Sequence, residues 1–200
     1  MKGLWPGRVR AAFADRLGEQ AQVEEGFGPV TVDVPAVSWQ DAVLLARDGL
    51  GCTFFDWLSA VDELDAGFRL VCHVAHHRAG ETQHLLLRTL LPREEATAPS
   101  VADVYRGARW HERETHEMFG IEFTDAGRPL ELAPLLLPDQ FEGHPLRKEF
   151  VLASRVVKPW PGAKEPGESG EDAPSRRRTR PPGVPGPDEW GPRPPGGADD

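Results

Sequence analysis

Phe68-Arg69-Leu70-Val71-Cys72-His73-Val74 and Leu85-Leu86-Leu87-Arg88-Thr89-Leu90-Leu91, with Gly67 before the first and Gly80 between them, decide the fold of this chain. Both stretches are rich in β-branched and large aliphatic residues, and the glycines supply the turns. A connection this short predicts that the two strands pair antiparallel. Leu85 to Leu91 is apolar at both parities, which predicts a central strand. Working outward, Val30-Thr31-Val32-Asp33-Val34 alternates like a half-buried strand stopped by Pro35, and Thr53 to Val61 reads as a strand or a short helix. Arg8 to Leu17 carries Val9, Ala12, Phe13 and Leu17 near helical spacing, with Gly18 placed to end it. Ser38 and Asp41 resemble a capping pair for a helix through Arg47 closed by Gly49, and Ser100 after Pro99 is placed to cap a short helix through Tyr105. The fold class is therefore α+β: an antiparallel sheet with flanking helices.

A last helix is predicted over Trp110-His111-Glu112-Arg113-Glu114-Thr115-His116-Glu117-Met118-Phe119-Gly120-Ile121. Trp110, Glu114, Glu117 and Ile121 fall at helical spacing, and Arg113 and Glu117 at i, i+4, so charges share faces with aromatic and aliphatic groups. That pattern predicts a buried or interfacial ionic network, in which replacing Arg113 by Ala strands a carboxylate.

Composition bounds the rest. At 200 residues the chain fits one domain plus extensions, and a core of about 150 residues buries roughly 70% of its unfolded surface. A net charge of -9 and a pI near 5.3 argue against nucleic acid or an anionic membrane face as the main partner. The two cysteines, Cys52 and Cys72, lack metal-ligand spacing and read as small core residues in a reducing compartment. Met1-Lys2-Gly3-Leu4-Trp5-Pro6 lacks a signal-peptide apolar region, and no apolar run approaches the roughly 18 residues of a membrane span. Any membrane role is expected to be peripheral. From Lys158 onward Pro, Gly, Arg and acidic residues replace Leu, Ile and Phe. That segment holds 7 Lys/Arg and 8 Asp/Glu, a charge of -1 that leaves -8 on residues 1–157. Residues 158–200 are expected to be a disordered tail, and Arg176-Arg177-Arg178-Thr179-Arg180 a solvated run within it.

The motifs exclude most catalytic chemistry. His111-Glu112 and His116 invite comparison with HExxH, but at i and i+5 the two imidazoles diverge by roughly 140° around the helix and cannot share a metal. His73, His76, His77 and His84 lie on or near paired strands, yet no Asp or Glu beside them in sequence orients a ligand imidazole, so they read as polar strand-end residues. The glycines near Gly26 and Gly28 match neither GxGxxG nor a P-loop, and no GxSxG elbow is present. The absence of a convincing catalytic set favours a scaffold or interaction role. After the proline-broken Pro134-Leu135-Leu136-Leu137-Pro138, residues Asp139 to Phe150 combine turn residues, aromatics and a basic pair, and are expected to form an extended arm, either across a partner or satisfied within the domain.

Two motifs then carry a resemblance. Glu112-Arg113-Glu114 through Phe119-Gly120-Ile121-Glu122-Phe123, and Gly143-His144-Pro145-Leu146-Arg147-Lys148-Glu149-Phe150, resemble the ERE…FGI and GHPLRKDF elements of the 30 kDa subunit of respiratory complex I. The likeness extends upstream through Phe55-Asp56-Trp57-Leu58-Ser59-Ala60-Val61-Asp62 and Leu86-Leu87-Arg88, over roughly residues 30–150. His116-Glu117 stands where relatives commonly carry Tyr-Asp, and Asp125 to Leu132 replaces a segment with a further basic pair, which marks a divergent form. The resemblance implies an α+β domain over residues 1–125, a partner-wrapping arm over 126–157 and the tail beyond. It implies a non-catalytic subunit of the peripheral arm of NADH:quinone oxidoreductase on the cytoplasmic side of the cell membrane. No cofactor or metal is expected in this chain; NADH, FMN, iron–sulfur clusters and quinone belong to partner subunits. Subunits D and B are the expected neighbours, with Glu112, Arg113, Glu114, Phe119, Gly120, Gly143, His144, Pro145, Arg147 and Lys148 in docking roles. Alternatives are the equivalent subunit of a membrane-bound energy-converting hydrogenase and a free-standing interaction domain.

Overall fold

The computed structural model describes residues 4–138 and 140–151; the tail expected from Lys158 and the end of the expected arm lie outside them. The first helix, α1, spans Leu4–Leu17, starting a turn earlier than expected. Pro6 sits in its first turn, where a missing N–H costs no hydrogen bond. Trp5, Val9 and Phe13 follow at i, i+4 and i+8 and are buried. After the short strand β1 (Gln22–Glu24), β2 (Val30–Asp33) enters the sheet. Helix α2 (Trp39–Asp48) is preceded by a 3-10 turn over Ala36–Ser38. The expected capping pair does not form. The Ser38 hydroxyl donates instead to Gln20 Oε1, 3.1 Å away.

Three long strands follow: β3 (Phe54–Asp62), β4 (Phe68–Arg78) and β5 (Glu81–Leu91). Thr53 to Val61 is thus resolved as strand. The β4–β5 hairpin pairs antiparallel, with Phe68 opposite Leu91 and Arg78 opposite Glu81. The sheet order is β1-β2-β5-β4-β3, so β5 is central as expected. Its pairing with β2 is parallel, whereas the other described pairs of this sheet are antiparallel. Two expectations about burial need correction. Strand β2 buries Val30, Thr31 and Val32 in succession instead of alternating. Strand β5 alternates: Leu85, Leu87, Thr89 and Leu91 are buried, and Leu90 is exposed. The core therefore lies on one face, where Leu58, Leu70, Leu85 and Leu87 meet Trp39 and Phe13.

A second small sheet completes the domain, with β6 (Thr97–Pro99) parallel to β7 (Glu122–Asp125) and β8 (Arg128–Pro129) antiparallel to it. Residues Ser100 to Tyr105 form turns, not the expected helix. Helix α3 (Ala108–Phe119) is the crossover between the parallel strands β6 and β7, a connection that parallel pairing requires.

Candidate functional site

Helix α3 presents a different face to the core than the one expected. Its buried residues are Ala108, Glu112, Thr115 and Phe119, whereas Trp110 is 58% exposed and stacks under the Arg113 guanidinium at 5.0 Å. The wide aromatic at position 110 outweighed the small residues Ala108 and Thr115 in the sequence pattern. These small residues are the ones that let a helix approach a sheet closely.

The charges on α3 are likewise used one by one. Glu112 is 1% exposed, and among the described residues no cation pairs with it; Ser100 Oγ–H donates to Oε2 at 2.8 Å and the Val101 N–H to Oε1 at 2.7 Å. Burial pushes its carboxyl above the ordinary value, against the opposing pull of those two donors. Arg113 does not pair with Glu117. Its Nε–H donates to the Ala133 carbonyl at 2.7 Å and a second N–H to Pro134 at 2.5 Å. Glu117, one turn on, accepts the backbone N–H groups of Leu135 (2.8 Å), Leu136 (2.8 Å) and Leu137 (3.3 Å). Neighbouring N–H groups aimed at one carboxylate make an anion nest. The expected ion-pair network is thus a set of side chain to backbone contacts, and Arg113 guards no buried carboxylate.

At its end, α3 meets the segment Gly143 to Phe150. Gly120 terminates the helix at φ 73°, with its N–H on the His116 carbonyl, the left-handed stop that favours glycine. The carbonyls of Glu117, Met118 and Phe119 accept His144 Nδ1–H (2.8 Å), the Leu146 N–H (3.1 Å) and Arg147 Nε–H (2.7 Å). A Cβ on Gly120 would run into the His144 and Arg147 side chains. Burial lowers the His144 imidazole, helped by the charge of Arg147 and opposed by the Glu117 carbonyl. Gly143, at φ 93°, turns the chain so that the rings of Phe141 and Phe150 stack 5.8 Å apart. Pro145 is half-buried in the same turn, Glu114 is half-buried on α3, and Lys148 is exposed. Of the expected docking residues, Phe119, Gly120, His144 and Arg147 are brought together; Glu112 faces the other end of the helix.

The histidines repeat the lesson. His111 Nδ1 faces the Leu58 carbonyl at 3.2 Å and His116 Nδ1 that of Ile121 at 3.0 Å, so the two diverge as the helical geometry requires. His73 does have an acidic neighbour: Asp56 Oδ2 lies 2.8 Å from its Nδ1, and its Nε2 lies 3.2 Å from His84 Nδ1. A β-bulge between Phe55 and Trp57 breaks the alternation of β3 and brings Asp56 to His73 beside Trp57, whose ring stacks at 5.7 Å. Among the described residues no group of three or more His, Cys, Asp or Glu is placed to hold a metal ion. Cys52 and Cys72 are buried free thiols; burial pushes Cys52 up to about 12 and Cys72 further, away from thiolate reactivity.

Sequence reasoning left two side chains unassigned at the arm. Asp62, 3% exposed, ends β3, and Arg93 follows β5; they are paired to each other next to Lys148 and Glu149. The signal was Asp62 closing the stretch Phe55 to Asp62 that shares in the resemblance.

Residues 32–156 match the family described as respiratory-chain NADH dehydrogenase, 30 Kd subunit. The chain belongs to that family. The C subunit of NADH-quinone oxidoreductase from Brucella abortus (strain 2308) is 34% identical over 156 residues, covering 75% of this chain and 74% of the relative. That of Brucella ovis is 33% identical over the same coverage. Among solved structures, a chain of the membrane-bound sulfane sulfur reductase, an archaeal respiratory membrane complex, superposes with a TM-score of 0.54 at 25% identity, covering 70% of this chain and 79% of that one. The trypsin-resistant fragment of Nqo5 shares the fold, with a TM-score of 0.51 at 22% identity over 62% of this chain and 99% of the fragment. Membership makes this chain a subunit of an oxidoreductase complex, and both motifs that pointed to the family converge on the end of α3. Among the described residues no helix is long and apolar enough to cross a membrane.

Proposed function

We propose that this chain is a non-catalytic scaffold subunit in the peripheral arm of an NADH:quinone oxidoreductase. It docks beside the quinone-site subunits D and B, on the cytoplasmic side of the membrane, while electrons pass from NADH to quinone coupled to proton translocation. FMN, the iron–sulfur clusters and quinone reside in the partners. The observation that carries this reading is the use made of the two family motifs. Their polar groups at the end of α3 are spent on backbone carbonyls and N–H groups that fix the shape of the arm, not on a nucleophile and its base. In this reading Glu112 seats the start of the helix in the core, Arg113 and Glu114 line its exposed side, Phe119 and Gly120 set its end, and Gly143, His144, Pro145, Arg147 and Lys148 set the arm that the partners meet. Affinity purification of the tagged chain from its native membranes should recover subunits D and B together with NADH:quinone activity. Recovery of the chain alone, as a stable monomer, would reject a scaffold role and leave a free-standing interaction domain.

A second reading is favoured by the likeness to a chain of the archaeal sulfane sulfur reductase. This is the equivalent subunit of another membrane-bound energy-converting complex, such as a hydrogenase. Co-purification of a large subunit with nickel-binding cysteines, and no NADH oxidation, would decide for it.

A further inference from the structure

The arm is fastened to the domain at a second place, the end of β3, one residue beyond its contact with α3. The Asp62 carboxylate, at the last position of β3, accepts the Leu64 N–H at 2.9 Å through Oδ1 and the Lys148 N–H at 2.9 Å through Oδ2, and is paired with the Arg93 guanidinium. Arg93 in turn donates to the Leu64 carbonyl at 3.0 Å and to Glu149 Oε1 at 3.0 Å, and lies 4.7 Å over the ring of Phe68. The Arg147 guanidinium lies 5.3 Å from the same ring. Burial works to raise the Asp62 carboxyl, but the Lys148 and Leu64 N–H groups and the Arg93 charge outweigh it and hold it below its ordinary value.

We propose that Asp62 and Arg93 form a clasp that positions the arm on the free chain before any partner binds, and that this clasp opens without unfolding the domain. Three observations combine. The carboxylate that takes the arm's N–H is almost fully buried, so losing its partner leaves a desolvated charge. The cation that neutralises it also reaches the arm directly, through Glu149. The residues it secures, Arg147 to Phe150, are half-buried or exposed, and Arg147 to Glu149 touch the domain through hydrogen bonds, one ion pair and the contact of Arg147 with the Phe68 ring. Segments held in this way open locally at lower free energy than the global transition. Asp62 and Arg93 are therefore positioning residues for the arm. The inference goes beyond the docking reading and does not depend on it, since every contact lies within the chain.

Native-state trypsin digestion of the full chain tests the clasp, because the enzyme can cut after Arg147 and Lys148. The products are identified by mass, and thermal unfolding is measured on the same samples. In Asp62→Asn and in Arg93→Met, cleavage at these two bonds should be about tenfold faster than in the parent, the scale of one lost charged hydrogen bond. Cleavage within β3 to β5 should stay unchanged in both variants. The double variant should cleave no faster than either single one, because both remove the same device. Equal rates in the parent and Arg93→Met would overturn the proposal, as would faster arm cleavage that only tracks a lower unfolding temperature and appears equally within the strands. Should Asp62→Asn fail to fold, Arg93→Met alone decides, since Arg93 is partly exposed and leaves the core intact. Failure of this test leaves the purification result for subunits D and B untouched.

Discussion

The two ends of α3 hold charge in opposite ways. At the start, Glu112 is sealed from water and satisfied by two neutral donors, with burial pushing its carboxyl up. At the end, the His144 ring, the Leu146 N–H and the Arg147 guanidinium cover three carbonyls from a largely exposed segment. The Arg147 cation there meets the negative pole of the helix dipole, worth about 0.3–1 kcal/mol at such exposure. The first arrangement makes the helix part of the core. The second makes the helix end a socket for a separate segment, which can be released without breaking the domain.

The contrast is broken most severely at the buried end. Glu112→Ala strands the Val101 N–H and the Ser100 hydroxyl and leaves a void, and should cost about 3 kcal/mol of global stability by denaturant unfolding. Glu112→Gln keeps an acceptor and a donor in place and should recover most of that loss. Gly120→Ala acts at the other end: the left-handed backbone alone costs about 1–2 kcal/mol, and the methyl group displaces His144 and Arg147. Amide exchange at Leu146 should accelerate in this variant while that of β4 and β5 keeps its order; protection retained at Leu146 would refute the socket. Arg113→Ala removes two hydrogen bonds to carbonyls of exposed residues and should cost less than about 1 kcal/mol. A loss of several kcal/mol would restore the ionic network expected from sequence. The smallest effect is that of pH, and here the ends differ in sign. His144 is lowered from 6.5 in the folded chain, so the unfolded form takes up the proton first, and the stability of the arm is lost as pH falls below 6.5. Glu112 is raised from 4.5, so it disfavours the fold as pH rises above 4.5 and is relieved on acidification. Measured against the intrinsic exchange rate at each pH, protection of the Leu146 amide should therefore fall first between about pH 7.5 and 5.5, while that of Val101 is kept.

Much of the fold was legible because it rests on local signals. The β4–β5 hairpin follows from two apolar runs around Gly80, and the end of α3 from Gly120. What was not legible depends on partners distant in sequence. Ser38 has every property of a helix cap, but Gln20 takes its hydroxyl. Ser100 is drawn away from a local cap by a glutamate twelve positions later. The parallel pairing of β2 with β5 leaves no trace in either strand. At the site, the two motifs meet at Phe119, Gly120, His144 and Arg147, but the contact each side chain makes came only with the geometry: Arg113 and Glu117, placed for an ion pair, each hold backbone instead. His116-Glu117, unexplained by spacing, proves to secure Ile121 on one side and the Leu135 to Leu137 run on the other.

That grip by Glu117 also bears on how the chain can change through evolution. It pins the arm at Leu135, while Phe123, buried on β7, pins the chain at the near side. The hairpin between them turns at Ala126 and Gly127, and Asp125 to Pro129 are exposed. Residues inserted or deleted there alter only the size of an excursion between two fixed points, so length variation between relatives should collect in this hairpin while the register of the arm downstream is preserved.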